Sequence, residues 1–274
     1  MPGREGSVKN PTFVSDFREE AARARTADRI LLENLLYHRS REVLAALLEN
    51  PRVGEKHLAI LLSRRDLSRD IVARIAQNRE WMKSYPLKLA VVKHPGTPRR
   101  LALPLLKFIY LFDLLSVATT AGVPPDLRKL AEETILMQRE GLALGQRISL
   151  ARSGSHRIAG GLLGDSDRRV IEAALANPAM TEYAVARALL DREAGPQLTA
   201  AVLEQERWFV RHSVKLALLR GQHLSLGRVM ALLPELARPD LADVAEDPRV
   251  RPEVRRYVAG LLQTRPVRGA KKSF

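Results

Sequence analysis

Short apolar segments recur along this chain at a nearly constant spacing, and that rhythm constrains the fold more than any other feature. In a first series the segments end at Leu48, Leu62, Ala76, Val92 and Leu106, spaced 14, 14, 16 and 14 residues apart. A second series ends at Ala151, Leu163, Ala176, Leu190, Leu203, Leu219, Leu233, Ala245 and Leu262, with spacings from 12 to 17. A block every ~14 residues is a helix of about three turns and a short turn. Self-similarity at such a period is the mark of a repeat array, in which each unit buries its apolar face only against its neighbours.

The turns between segments echo one another as well. "NPRVGE" begins at Asn50-Pro51, "NPAMTE" at Asn177-Pro178 and "DPRVRPE" at Asp247-Pro248, and a shorter version, "HPGTP", begins at His94-Pro95. Proline disfavours the α conformation in the residue before it, so each pair ends a helix. The apolar residue two positions after the proline (Val53, Met180, Val250) is expected to tuck the turn against the core. A new helix then opens on Gly54-Glu55, Thr97-Pro98, Thr181-Glu182 or Pro252-Glu253, with capping or first-turn residues that suit the positive end of the helix dipole. These corners read as structural.

Composition agrees with an all-α chain. Of 274 residues, 46% are hydrophobic but only 5% aromatic, so the core is expected to be Leu, Ala and Val, of which Leu and Ala favour helix. There is no cysteine, which excludes disulfides, thiolate metal sites and cysteine nucleophiles. That absence and an N-terminus without an apolar signal region fit a cytoplasmic protein. The longest apolar run, residues 101–118, is interrupted by Pro104, Lys107 and Asp113 and is expected as a buried central helix, not a membrane span.

With "DSDRRVIEAALANP" (165–178) and "DPRVRPEVRRYVAGLL" (247–262), the chain resembles the HEAT-like α-solenoids. The two-helix unit of about 28 residues and the Asn-Pro corners resemble leucine-rich-repeat-variant proteins more closely. The founding member of that family carries a cysteine-ligated iron–sulfur cluster, which a cysteine-free chain cannot hold. The resemblance implies an all-α, right-handed superhelix of short helix pairs. It covers repeats over 28–106 and 146–263, between a partly disordered extension (1–27), a connector of longer helices (107–145) and a basic tail (264–274).

The net charge of +14 is concentrated. Residues 51–100 hold twelve Lys and Arg against four Asp and Glu, and residues 251–274 hold seven against one. Arg64, Arg65, Arg69, Arg74, Arg79, Lys83, Lys88 and Lys93 are the candidate contacts to an anionic partner, with Trp81 and Tyr85 among them, either stacking on bases or packing in the core. A solvated basic face is the alternative.

Chemistry is otherwise sparse. The six histidines show no metal-ligand spacing, and neither GxxxxGK[ST] nor GxGxxG occurs. Ser153 and Ser155 beside His156 read as a turn. Asp113, flanked by Tyr110 and Phe112, is the most distinctive single residue. It is either paired or capping, since a lone buried charge is costly, or it is the catalytic carboxylate that resemblance to the HEAT-like alkyl-base DNA glycosylases implies. The leading expectation is a non-catalytic scaffold, without cofactor or metal, that binds a protein or peptide along a concave surface. Nucleic-acid binding through 52–100 is the alternative, and no oligomeric state is implied.

Overall fold

The computed structural model describes residues 12–191 and 194–264. Every regular element in that range is helical. In the N-terminal half these are α1 (Thr12–Thr26), α2 (Arg29–Leu35), α3 (Arg41–Leu47), α4 (Glu55–Ser63), α5 (Arg69–Gln77), α6 (Tyr85–Lys93), α7 (Arg99–Ala102), α8 (Leu111–Thr119) and α9 (Pro125–Met137). The C-terminal half begins with α10 (Leu144–Ser153), α11 (His156–Gly161), α12 (Arg168–Leu175), α13 (Glu182–Leu189) and α14 (Pro196–Glu204). It continues with α15 (Glu206–Phe209), α16 (His212–Arg220), α17 (Leu226–Leu232), α18 (Arg238–Glu246) and α19 (Pro252–Thr264). Single 3-10 turns lie at Trp81–Lys83, Leu103–Phe108, Arg139–Gly141 and Leu233–Glu235. No helix in the described residues is long and apolar enough to cross a membrane.

The chain divides into two compact units between Ile135 and Leu136, inside α9. Within each, a helix packs on the next but one. In the first unit α1, α3, α5 and α7 follow one another in one row, and α4, α6 and α8 in a second. In the second unit α10, α12 and α14 form one succession, α11, α13, α16 and α18 another, and α17 packs on α19. Helices of seven to ten residues are too short to stand alone in water, so their stability comes from this packing. Leu58, Leu61, Ile71, Val72, Ile75, Leu87 and Val91 supply it in the first unit, each at 5% exposure or less.

Local signals start the helices where capping chemistry puts them. Asp28, Ser40, Ser84, Ser155 and Thr181 each accept a backbone N–H of the first turn through the side chain. Ser155 is thereby the cap of α11. Pro252 opens α19 as its first residue, a place where its missing N–H costs nothing. Thr97 departs from expectation: Pro98 holds the cap position, and the buried Thr97 hydroxyl donates instead to the carbonyl of Val91 at 2.5 Å.

Three expectations change. Residues 101–118 are not one buried helix. Proline lacks the N–H that a helix interior requires, and the segment runs through α7 and a 3-10 turn beginning Leu103-Pro104, is extended at Ile109 and Tyr110, and resumes as α8. Residues 12–26 of the N-terminal segment form α1, which Phe17, Ala21 and Ala24 at helical spacing seat on α3. In the central segment only α9 exceeds ten residues, and its 13 equal those of α19, while α8 has the ordinary nine. Residues 1–11 and the basic tail after Thr264 lie outside the described residues.

Candidate binding surface

The corners are built by one side-chain position. At Asn50 and Asn177, 3% and 1% exposed, the amide oxygen accepts the backbone N–H two residues on, from Arg52 (2.9 Å) and Ala179 (2.7 Å). The amide nitrogen reaches back to the end of an earlier helix. Asn50 donates to the carbonyls of Ala24 and Ala27 at 2.9 and 3.1 Å, and Asn177 to those of Ala151 and Gly154 at 2.8 and 2.9 Å. Both pairs of partners lie 26 and 23 residues upstream. Helix ends leave carbonyls without intrahelical partners, and each Asn satisfies two of them while forming its own turn.

Other side chains fill the same position. His94, also 3% exposed, accepts from the Gly96 N–H through Nδ1 (3.0 Å), and its Nε2 lies 2.9 Å from the carbonyl oxygen of Arg64. A carbonyl can only accept, so the hydrogen sits on Nε2. Asp247 accepts the Arg249 N–H (3.0 Å) and binds the guanidinium groups of Arg249 and Arg220, both at 2.7 Å. The Arg249 side chain, then its backbone and Arg220, hold this carboxyl well below the ordinary range against the cost of burial. His38, Asn78 and Asp165 complete the set by accepting the N–H of Ser40, Glu80 and Asp167. These three have no proline after them, so the sequence motif misses them.

This assigns Arg64, a candidate partner contact, to the framework. Its guanidinium donates to the carbonyls of Leu36 (2.5 Å) and His38 (3.1 Å) and pairs with Asp66, leaving the side chain 12% exposed. It occupies the corner position of its own turn, and it is not free to meet a ligand.

The remaining basic candidates are spread around the first unit. Arg69 and Arg74 lie on α5, and Arg74 is 3.9 Å from Glu49. Arg65 and Arg79 are exposed on the turns flanking α5. Lys83 pairs with Glu80 at 2.7 Å, an exposed local contact of little energetic weight. Lys88 and Lys93 belong to α6, in the other row. Trp81 is partly buried against the core, and Trp208 is buried with its Nε1 donating to the carbonyl of Leu175 at 3.0 Å. Neither is open for stacking on a base.

Aromatic exposure is concentrated elsewhere, around Asp113. Phe108, Tyr110 and Phe112 are 51%, 69% and 51% exposed. The extended backbone at Ile109 and Tyr110 explains two of them: alternate residues point opposite ways, so Ile109 turns inward (6% exposed) while its neighbours face water. The Tyr110 ring stacks on Tyr85 at 4.4 Å with planes 28° apart. The Tyr85 hydroxyl accepts the Tyr110 N–H (3.1 Å) and donates to Asp113 Oδ2 at 2.5 Å. Burial, and then the hydrogen bond to Asp113, raise the Tyr85 pKa and keep the phenol a donor. Lys88 and Lys107 place their ammonium groups 5.4 and 4.9 Å from the centre of the Phe108 ring. Asp113 is therefore the anchor of an aromatic platform. Its sequence neighbours Tyr110 and Phe112 were visible beforehand, but Tyr85, 28 residues away, was not connected to it.

No group of three or more His, Asp or Glu that could hold a metal ion occurs among the described residues. No family model matches the chain, and no curated protein or solved structure matches it.

Proposed function

We propose that this chain is a HEAT-like, right-handed α-solenoid of short helix pairs, akin to the leucine-rich-repeat-variant type. Its role is that of a non-catalytic scaffold binding a protein or peptide partner along one helix row. The observation that carries this reading is the corner bond reaching back 23 and 26 residues at both Asn50 and Asn177, together with next-but-one packing. A repeat held this way spends its buried polar groups on its own framework, and leaves outward side chains free to vary toward a partner. The aromatic platform around Asp113 is a large exposed apolar feature on such a framework, the kind that marks interaction surfaces.

The test is selection from a random peptide display library on the full chain, followed by hydrogen-exchange mapping of a selected peptide. Protection along α4, α6 and α8 or their counterparts α11, α13 and α16 supports the reading. A library that yields no binder counts against it.

Nucleic-acid binding is the second reading, favoured by Arg65, Arg69, Arg79 and Arg100, which are exposed and make no ion pair among the described residues. Anisotropy of labelled single- and double-stranded DNA and RNA against salt distinguishes the two. Phosphate contacts demand affinity that falls steeply with ionic strength and weakens in a variant with Arg65, Arg69 and Arg79 changed to Gln.

A further inference from the structure

We infer that Phe108, Tyr110 and Phe112, with Lys88 and Lys107, form a docking site for an acidic peptide segment carrying an aromatic side chain. The inference rests on the scaffold reading above and names the partner's chemistry.

Three observations converge. First, the exposed aromatic surface is local. In a chain with 5% aromatic residues, three exposed rings fall within the five positions 108–112, whereas Tyr37, Tyr183 and Tyr257 are exposed singly. Second, the platform is preorganised. Tyr110 is fixed by stacking on Tyr85, and Tyr85 by its hydrogen bond to Asp113, so a ring landing on the open face of Tyr110 orders little that is not already ordered. Third, the charge is one-sided. Lys88 and Lys107 converge on Phe108 without a carboxylate partner among the described residues, and their two charges outweigh the single carboxylate of Asp113, whose Oδ2 is turned to Tyr85. Ring stacking beside two unpaired ammonium groups is complementary to an aromatic residue flanked by Glu or Asp.

A nucleic-acid strand fits less well, because it needs stacking rings and a phosphate track side by side. Here Arg69, Arg74, Arg99 and Arg100 belong to α5 and α7, while Lys88, Tyr110 and Phe112 lie on or beside α6 and α8 in the other row, and Lys107 and Phe108 end the 3-10 segment between α7 and α8. Arg99 is moreover paired with Asp126 at 3.0 Å.

The experiment measures anisotropy with the full chain and four labelled probes. These are an oligoglutamate peptide with a central phenylalanine, the same peptide with central alanine, an oligolysine peptide with phenylalanine, and oligo(dT). The variants are Tyr110→Ser, the double charge reversal Lys88→Glu with Lys107→Glu, and Tyr183→Ser as an exposed aromatic control. Thermal unfolding checks that each is folded. The expected result is preference for the phenylalanine-bearing oligoglutamate, at least tenfold weaker binding with Tyr110→Ser, a switch toward oligolysine with the double reversal, and no change with Tyr183→Ser. Equal binding of the two oligoglutamates, or binding that both variants leave intact, overturns the site. Tighter oligo(dT) binding lost in the same variants overturns it in favour of nucleic acid. A library-selected peptide indifferent to Tyr110→Ser also overturns the site, yet leaves the scaffold reading standing.

Discussion

Asn50 in the first unit and Asn177 in the second make the same three hydrogen bonds at the same sequence offsets, yet the surfaces around them differ. Ion pairs join separate helices in both: Arg25 with Glu49, Arg41 with Asp70 and Arg99 with Asp126 in the first unit, and Arg147 with Asp165, Arg168 with Glu204 and Arg220 with Asp247 in the second. What the first unit adds is a tyrosine on an aspartate between α6 and α8, with exposed rings around it. The comparison separates two roles. Corners hold successive helices together in either unit, while the exposed side chains between them differ.

The sharpest way to break the comparison is to remove both amides. Asn50→Ala and Asn177→Ala each strand two helix-end carbonyls and one turn N–H, and each is expected to cost about 3 kcal/mol. Hydrogen exchange should show the loss confined to the unit that carries the substitution. Unequal losses would mean that the two corners are alike in shape only.

Asp247→Asn comes next, at about 2 kcal/mol for lost charge-assisted hydrogen bonds. Because the folded carboxyl titrates below its unfolded value of ~3.9, its contribution is complete above that pH and disappears as pH falls through the folded value. Exchange protection of α18 and α19 should therefore decline below about pH 4 in the wild type. Asp247→Asn should remove that component of the decline, and an unchanged acid limb would refute the assignment.

Gly154→Ala is expected to cost about 1–2 kcal/mol, since a Cβ there would meet the Leu150 carbonyl oxygen at 2.5 Å and Ile158 Cγ2 at 2.7 Å. Chemical denaturation measures it. At the small end, Arg64→Gln should lower stability by about 1 kcal/mol while its neighbour Arg65→Gln stays within ~0.5 kcal/mol. Equal effects on thermal unfolding would return Arg64 to the list of partner contacts.

Much of this framework was legible beforehand, for a physical reason. Helix ends are local events, so the Asn-Pro corners, the Thr181 cap and the burial of Val53, Met180 and Val250 follow from residues adjacent in sequence. Arg64 and the run 101–118 were misread because their fate depends on distant groups and on one backbone bend. The carbonyls that capture Arg64 lie 26 and 28 residues upstream, and the extended pair Ile109-Tyr110 turns out rings that a continuous helix would have buried. The aromatic platform stayed hidden because Tyr85 meets Asp113 only once α6 and α8 are packed together.

The corner bond also acts as a ruler. Because one side chain spans from its own turn to a carbonyl 23 residues earlier and another 26 earlier, it measures the length of everything between them. An inserted residue in α2 or α11 would have to be absorbed within that span or would tear the amide from its partners. Over evolutionary time such a gauge filters insertions and deletions while tolerating substitutions on the outward faces. Helices gauged in this way can vary widely on their outward faces and still keep step with one another.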